Sequence, residues 1–252
     1  MKLLRQLFIL AAPLLLAPLA TPAQAAVDAK EVNALMTQIE QTMFPRMATA
    51  AIKITSYKKE QVLKEVVMDF TVSADKGLLG ITSPVADKGK YVLKSGKNMW
   101  MYFGDIKRSI RLASKDAFLG TDANNYDLLQ IRLLEDYNVS NFSEATLNGE
   151  AVIKVELTAK EGTDGYSKIT SWISPKNKRL LQNDCYSISG AQIKTIQYRA
   201  PANVGEFRIP GEVFITNFVD KDRTTLMQFS KVQPKTDIKA SLFTLGYLES
   251  LN

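Results

Sequence analysis

The sequence predicts an α+β fold that is mainly β: a curled antiparallel meander with helices covering its concave face. Three observations point there. Apolar residues recur with a helical period only near the start of the chain, and after Pro45 the period falls to 2. Turn signals then follow one another at short spacing: Ser95-Gly96, Asn148-Gly149, Asp164-Gly165 and Ser189-Gly190. One stretch, Ser114 to Tyr137, lacks both the alternation and the turns.

The elements follow in order. Lys2 and Arg5 precede an apolar run from Leu7 to Ala20, and Thr21-Pro22-Ala23-Gln24-Ala25 ends in a small-x-small cleavage pattern. Residues 1–25 are therefore expected to be a secretory signal peptide. Pro13 and Pro18 interrupt the run and argue against a membrane anchor. No Cys lies near the cleavage site, so the protein is not expected to be lipidated itself. Cleavage removes two cations and no acid, lowering the net charge from +6 to +4. That balance suits an anionic membrane surface and is too weak for nucleic acid. The expected location is the periplasm, and residues 26–252 are expected to form one domain.

The first helix is carried by Val32, Leu35, Met36, Ile39 and Met43, with Asp28-x-x-Glu31 resembling a capping box and Pro45 closing it. About ten or eleven strands follow by the turn spacing. Val66, Met68, Phe70 and Val72 alternate with Val67, Asp69 and Thr71, and Ile153, Val155 and Leu157 alternate with Lys154 and Glu156. Short connections leave no room for parallel crossovers, so neighbours pair antiparallel. A sheet of that size must curl, split or close. The irregular segment carries the loop Gly120 to Asn125 and a helical run from Asp127 to Leu134, which includes Leu128 and Ile131. A helix inserted midway through a meander cannot lie in the sheet, so it crosses a face or an edge: either a lid or a permanent plug of the core.

Composition removes most chemistry. Among 252 residues there is no His and a single Cys, Cys185. His-based nucleophile systems, His-bearing metal sites, Cys clusters and internal disulfides are all excluded. No cofactor is expected. Asp122 and Asp127 flank the lid loop as a carboxylate pair, but no substrate motif accompanies them, and Asp127 is expected to favour a helix N-terminus. Asn98-Met99-Trp100-Met101-Tyr102-Phe103 is apolar on both faces and needs cover on each. The apolar C-terminal stretch around Leu242, Phe243, Tyr247 and Leu248 is expected to dock on the sheet.

Pro84-x-x-Asp87-x-Gly89-x-Tyr91-x-Leu93-Lys94, then Trp100-Met101-Tyr102, Lys107-Arg108-x-Ile110-Arg111, Gly120-Thr121-Asp122 and Asp127-Leu128 form an ordered set. It resembles the outer-membrane lipoprotein-sorting protein family, which is LolA-like. Gly104 stands where many relatives have Pro, and Ala123 and Asn125 where many have aromatics. The resemblance implies an incomplete antiparallel β-barrel closed by helices, with an apolar cavity between sheet and lid. It also implies non-catalytic carriage of acylated lipoprotein or phospholipid, and an inner-membrane transporter or permease as partner. On this reading Met68, Phe70, Met99, Trp100, Met101 and Tyr102 form the cavity wall. Asp122, Asp127, Leu128 and Ile131 belong to the lid, and Lys107, Arg108 and Arg111 form a basic cluster that meets phosphate, meets the lid carboxylates, or is simply solvated. The protein is expected to be a monomer. The alternative function is a lipid- or lipoprotein-sensing module that signals to a membrane protein.

Overall fold

A computed structural model describes residues 28–129 and 133–251. The expected export signal and Ile131 lie outside them. Helix α1 (Ala29–Met43) starts where the sequence predicts: Asp28 accepts the Glu31 amide at 2.8 Å, and Val32, Met36 and Ile39 are buried. The strands are β1 (Met47–Lys58), β2 (Gln61–Ser73), β3 (Lys76–Ser83), β4 (Lys90–Ser95), β5 (Asn98–Phe103) and β6 (Arg108–Leu112). After the irregular segment come β7 (Tyr137–Leu147), β8 (Glu150–Ala159), β9 (Lys168–Ser174), β10 (Arg179–Tyr186), β11 (Gln192–Val204), β12 (Phe207–Asn217) and β13 (Arg223–Pro234).

All thirteen strands form one antiparallel sheet in the order β6-β5-β4-β3-β2-β1-β13-β12-β11-β10-β9-β8-β7. The count exceeds the expected ten or eleven because several hairpins turn on lysine. Lys59, Lys107 and Lys178 adopt positive φ at the β1–β2, β5–β6 and β9–β10 turns, and the first of these has no Gly or Asn to announce it. A flat sheet of this size would span roughly 50–60 Å at the usual strand spacing. Yet one apolar cluster joins Phe70, Leu79, Val92 and Met101 to Val155, Ile169, Ile196 and Ile215. The sheet therefore curls round on itself, and β6 and β7 are its two free edges.

Residues 113–136 connect those edges. Their described residues carry the short helices α2 (Asn125–Leu129) and α3 (Leu133–Asp136). Helix α1 packs beside them, against β12, β10 and β7, and the Leu134 amide donates to Glu40 of α1 at 2.9 Å. Gly104 has its own reason. Its N–H donates to the Gly89 carbonyl at 3.0 Å, which Pro could not do, and a Cβ there would meet the same oxygen at 2.8 Å.

The opposite face of β3–β5 carries a second cluster. Leu93 and Tyr102 are buried there beneath Phe243 and Leu248, the latter in α4 (Leu245–Glu249), with Leu78, Tyr91 and Trp100 around them. The C-terminal segment is the cover that the doubly apolar strand β5 requires.

Candidate functional site

The space between the curled sheet and the 113–136 segment is an apolar cavity. Met43 and Phe44 close it from α1, and Tyr126, Leu128 and Leu133 from the crossing segment. Ile169, Cys185, Ile196, Val213, Ile215, Met227 and Phe229 line the sheet side. Its free volume is about 70 Å³. An apolar cavity of about 150 Å³ holds one benzene, so this one is too small for an acyl chain with the crossing segment in this position.

Two aspartates hold the lid. Asp122 lies over the sheet centre with its side chain only 1% exposed. Its carboxylate accepts from Asn217 Nδ2 at 2.9 Å, Thr225 Oγ1 at 3.0 Å and Ser56 Oγ at 3.3 Å, and pairs with Arg223 Nε at 3.2 Å. Its backbone N–H donates to Thr225 Oγ1 at 3.0 Å, and Arg223 Nη2 also donates to the Gly120 carbonyl at 2.7 Å. Asp127, in the first turn of α2, pairs with Lys194 Nζ at 2.7 Å and accepts from the Tyr166 hydroxyl at 2.6 Å. The role at the helix start is there too, since Oδ2 accepts the Asn124 amide at 3.0 Å. Burial, with the Asp127 charge second, pushes the Tyr166 hydroxyl well above its ordinary pKa, so it remains a donor.

The turns of 113–129 bond their backbone within that stretch: Asp116 to Ala113, Phe118 to Ala123, Asn125 to Asp116 and Tyr126 to Ser114 among them. Side chains supply the ties to the sheet. Beneath the lid, Cys185 is fully buried and unpaired, and burial raises its thiol pKa.

The predicted site residues separate by face. Met68, Phe70, Met99 and Met101 belong to the large apolar cluster on the inner face, but none of them lines the cavity. Trp100 and Tyr102 lie outside that cluster. Successive strand residues point to opposite faces, so Trp100 meets Leu93 and Tyr102 meets Tyr91 under the C-terminal segment. The expectation of one continuous wall from Met99 to Tyr102 is corrected accordingly. Lys107, Arg108 and Arg111 are exposed on the β6 edge, where Arg111 bonds Asn98. The lid carboxylates pair with Lys194 and Arg223 instead. Sequence reasoning missed those two cations, along with Ser56, Asn217 and Thr225.

A family model described as "Uncharacterized protein" matches residues 73–250. No curated protein matches the chain. Among solved structures, a LolA superfamily protein from Nitrosomonas europaea superposes with a TM-score of 0.76 at 19% identity, covering 85% of this chain and 98% of that one. An outer membrane lipoprotein-sorting protein domain from Vibrio parahaemolyticus gives 0.76 at 19% identity, over 87% and 97%. A DUF1329 family protein from Desulfovibrio piger gives 0.75 at 15% identity, over 87% and 98%. The chain belongs to the family whose model spans residues 73–250, and its single thirteen-stranded open sheet has the LolA-like fold.

Proposed function

We propose that this protein is a periplasmic carrier. It takes the acyl chain of a lipoprotein or lipid into the cavity beneath its lid, without catalysis, and passes it between membranes. An inner-membrane transporter or permease is the proposed source or acceptor. The observation that carries this reading is the attachment of the lid: residues 113–129 fold on themselves and meet the sheet through side chains, so the lid can lift without breaking the strand pairing.

The magnitudes are compatible. Lifting the lid exposes Phe118 and Leu128, both buried now. Each costs about 1.5–3 kcal/mol, and a buried methylene returns about 0.8 kcal/mol. Roughly four to eight methylenes offset the two side chains, which is within the reach of an ordinary acyl chain. The likeness to a lipoprotein-sorting domain supports the same reading.

Native mass spectrometry of mature protein from its own periplasm tests it, paired with binding of a fluorescent acyl probe. Copurifying acyl lipid that the probe displaces is the expected result. Empty protein that binds no probe overturns the proposal. Bound lipid in a stable protein complex, with no transfer between vesicles, would overturn carriage in favour of a sensing module.

A further inference from the structure

At one rim of the sheet the cavity ends against three cations. Lys178, Arg179 and Arg208 line a pocket together with Met43, Tyr198 and Pro210. Those last three residues also line the apolar cavity, so the two spaces share a wall. The β9–β10 turn supplies Lys178, the start of β10 supplies Arg179, the start of β12 supplies Arg208, and the end of α1 supplies Met43.

The cations are poorly matched by the protein. Arg179 Nη2 donates to the Tyr198 carbonyl at 3.4 Å and Arg208 Nη1 to the Asn177 carbonyl at 3.3 Å, both long contacts to neutral acceptors. Among the described residues none of the three enters an ion pair. Glu150 acts on Arg179 from a distance, but its Oε1 accepts from Ser174 and Asn177. Burial and then the neighbouring Arg208 lower the Arg179 pKa, the mark of a cation held against its preference. Lys194 and Arg223, the cations under the lid, each have an aspartate; this cluster has a gap where an anion belongs. Guanidinium groups present paired donors that fit a phosphate or carboxylate.

We infer that Lys178, Arg179 and Arg208 receive the anionic head, phosphate or carboxylate, of an amphiphile whose acyl chain runs past Met43, Tyr198 and Pro210 into the cavity. The inference rests on the reading of that cavity as an acyl-chain site, and it narrows the cargo to lipids with a charged head. A neutral head would leave the three cations as they are.

Calorimetric titration of the mature protein tests it with four probes: lysophosphatidylglycerol, palmitate, monopalmitoylglycerol and inorganic phosphate. The two anionic lipids should bind more tightly than monopalmitoylglycerol. Arg179→Gln and Arg208→Gln should each weaken the anionic lipids about tenfold and leave monopalmitoylglycerol unchanged, since a charge-assisted hydrogen bond is lost from the head alone. Unchanged circular dichroism of these rim variants confirms that they fold. Equal binding of neutral and anionic lipids, or variants that keep the anionic preference, would overturn the inference and leave the carrier proposal standing. Inorganic phosphate binding as tightly as the lipids would overturn the amphiphile in favour of a free anion. Absence of binding by any probe would overturn both proposals.

Discussion

Replacing Asp122 by alanine should unlatch the lid while leaving the sheet intact. The carboxylate is 1% exposed and holds Asn217, Thr225, Ser56 and Arg223 at 2.9–3.3 Å. Its removal leaves three polar groups without that acceptor and takes from Arg223 the nearer of its two carboxylates, Asp122 and Asp220. Breaking one side of a buried pair costs about 3–5 kcal/mol. Distance alone does not decide this. Lys53 and Glu65 approach to 2.7 Å, but their side chains are 44% and 47% exposed, and such a pair contributes about 0–1 kcal/mol. Cys185 supplies the assay, because it is fully buried beneath the lid and is the chain's one thiol. Under native conditions its labelling by a small thiol reagent should accelerate by roughly two to three and a half powers of ten in Asp122→Ala. Glu65→Ala should leave the rate unchanged. The amides of β9 and β10 should keep their hydrogen-exchange protection. Labelling within threefold of the parent rate would refute the latch, and so would faster labelling accompanied by equal loss of sheet protection, which reports global unfolding.

Three further outcomes follow from the same geometry. Lys194→Met should cost about 3–5 kcal/mol in urea unfolding, because Asp127 remains buried with its cation gone, and adding Asp127→Leu should recover much of that loss; an additive double variant would count against the pairing. Gly165→Ala should destabilise by about 1–3 kcal/mol in a thermal melt, since a Cβ would sit 2.6 Å from Tyr137 Oη and 2.7 Å from Tyr126 Cζ, and Tyr126→Ala should partly rescue it. Alkaline pH should weaken the fold through Tyr137. Burial pushes its hydroxyl up to about 12, so the neutral form is the one the fold prefers. That contribution is complete below the unfolded value of about 10 and is lost as pH rises from there through about 12. Urea unfolding across this range should show the slope, and Tyr137→Phe should reduce it; a flat profile would contradict the assignment.

Much of the fold was legible because its signals are local. The Asp28 cap, the Pro45 stop and the switch to period 2 each depend on neighbours in sequence, and each appears in the structure. The crossing segment was legible by default, as a stretch in mid-chain that lacked both alternation and turns. Its anchors were harder to see because they come from strands far away in sequence. A signal did exist: Ser56 continues the inward phase of Ile52 and Ile54, Thr225 precedes Met227 and Phe229, and Lys194 precedes Ile196 and Tyr198. A polar residue on the inward phase of an alternating strand needs a buried partner, and three such residues call for something polar above them. Nothing in the spacing says that Asp122 and Asp127 answer. The face of Trp100 and Tyr102 was misassigned for a different reason. A strand apolar on both sides gives no phase, and only the docked C-terminal segment decides which side is which.

The strand order has a consequence for assembly. β1 and β13 are neighbours at the middle of the sheet, while both free edges come from the interior of the chain. The protein is thus two local meanders, β1–β6 and β7–β13, joined by one ladder between its first and last strands and by the lid as a covalent bridge between edges. Each meander can zip from its own hairpins, and the ladder that unites them closes the longest loop and belongs late in folding. A chain cut within the lid would still hold every strand pairing the sheet requires, so two fragments divided there should find each other in solution.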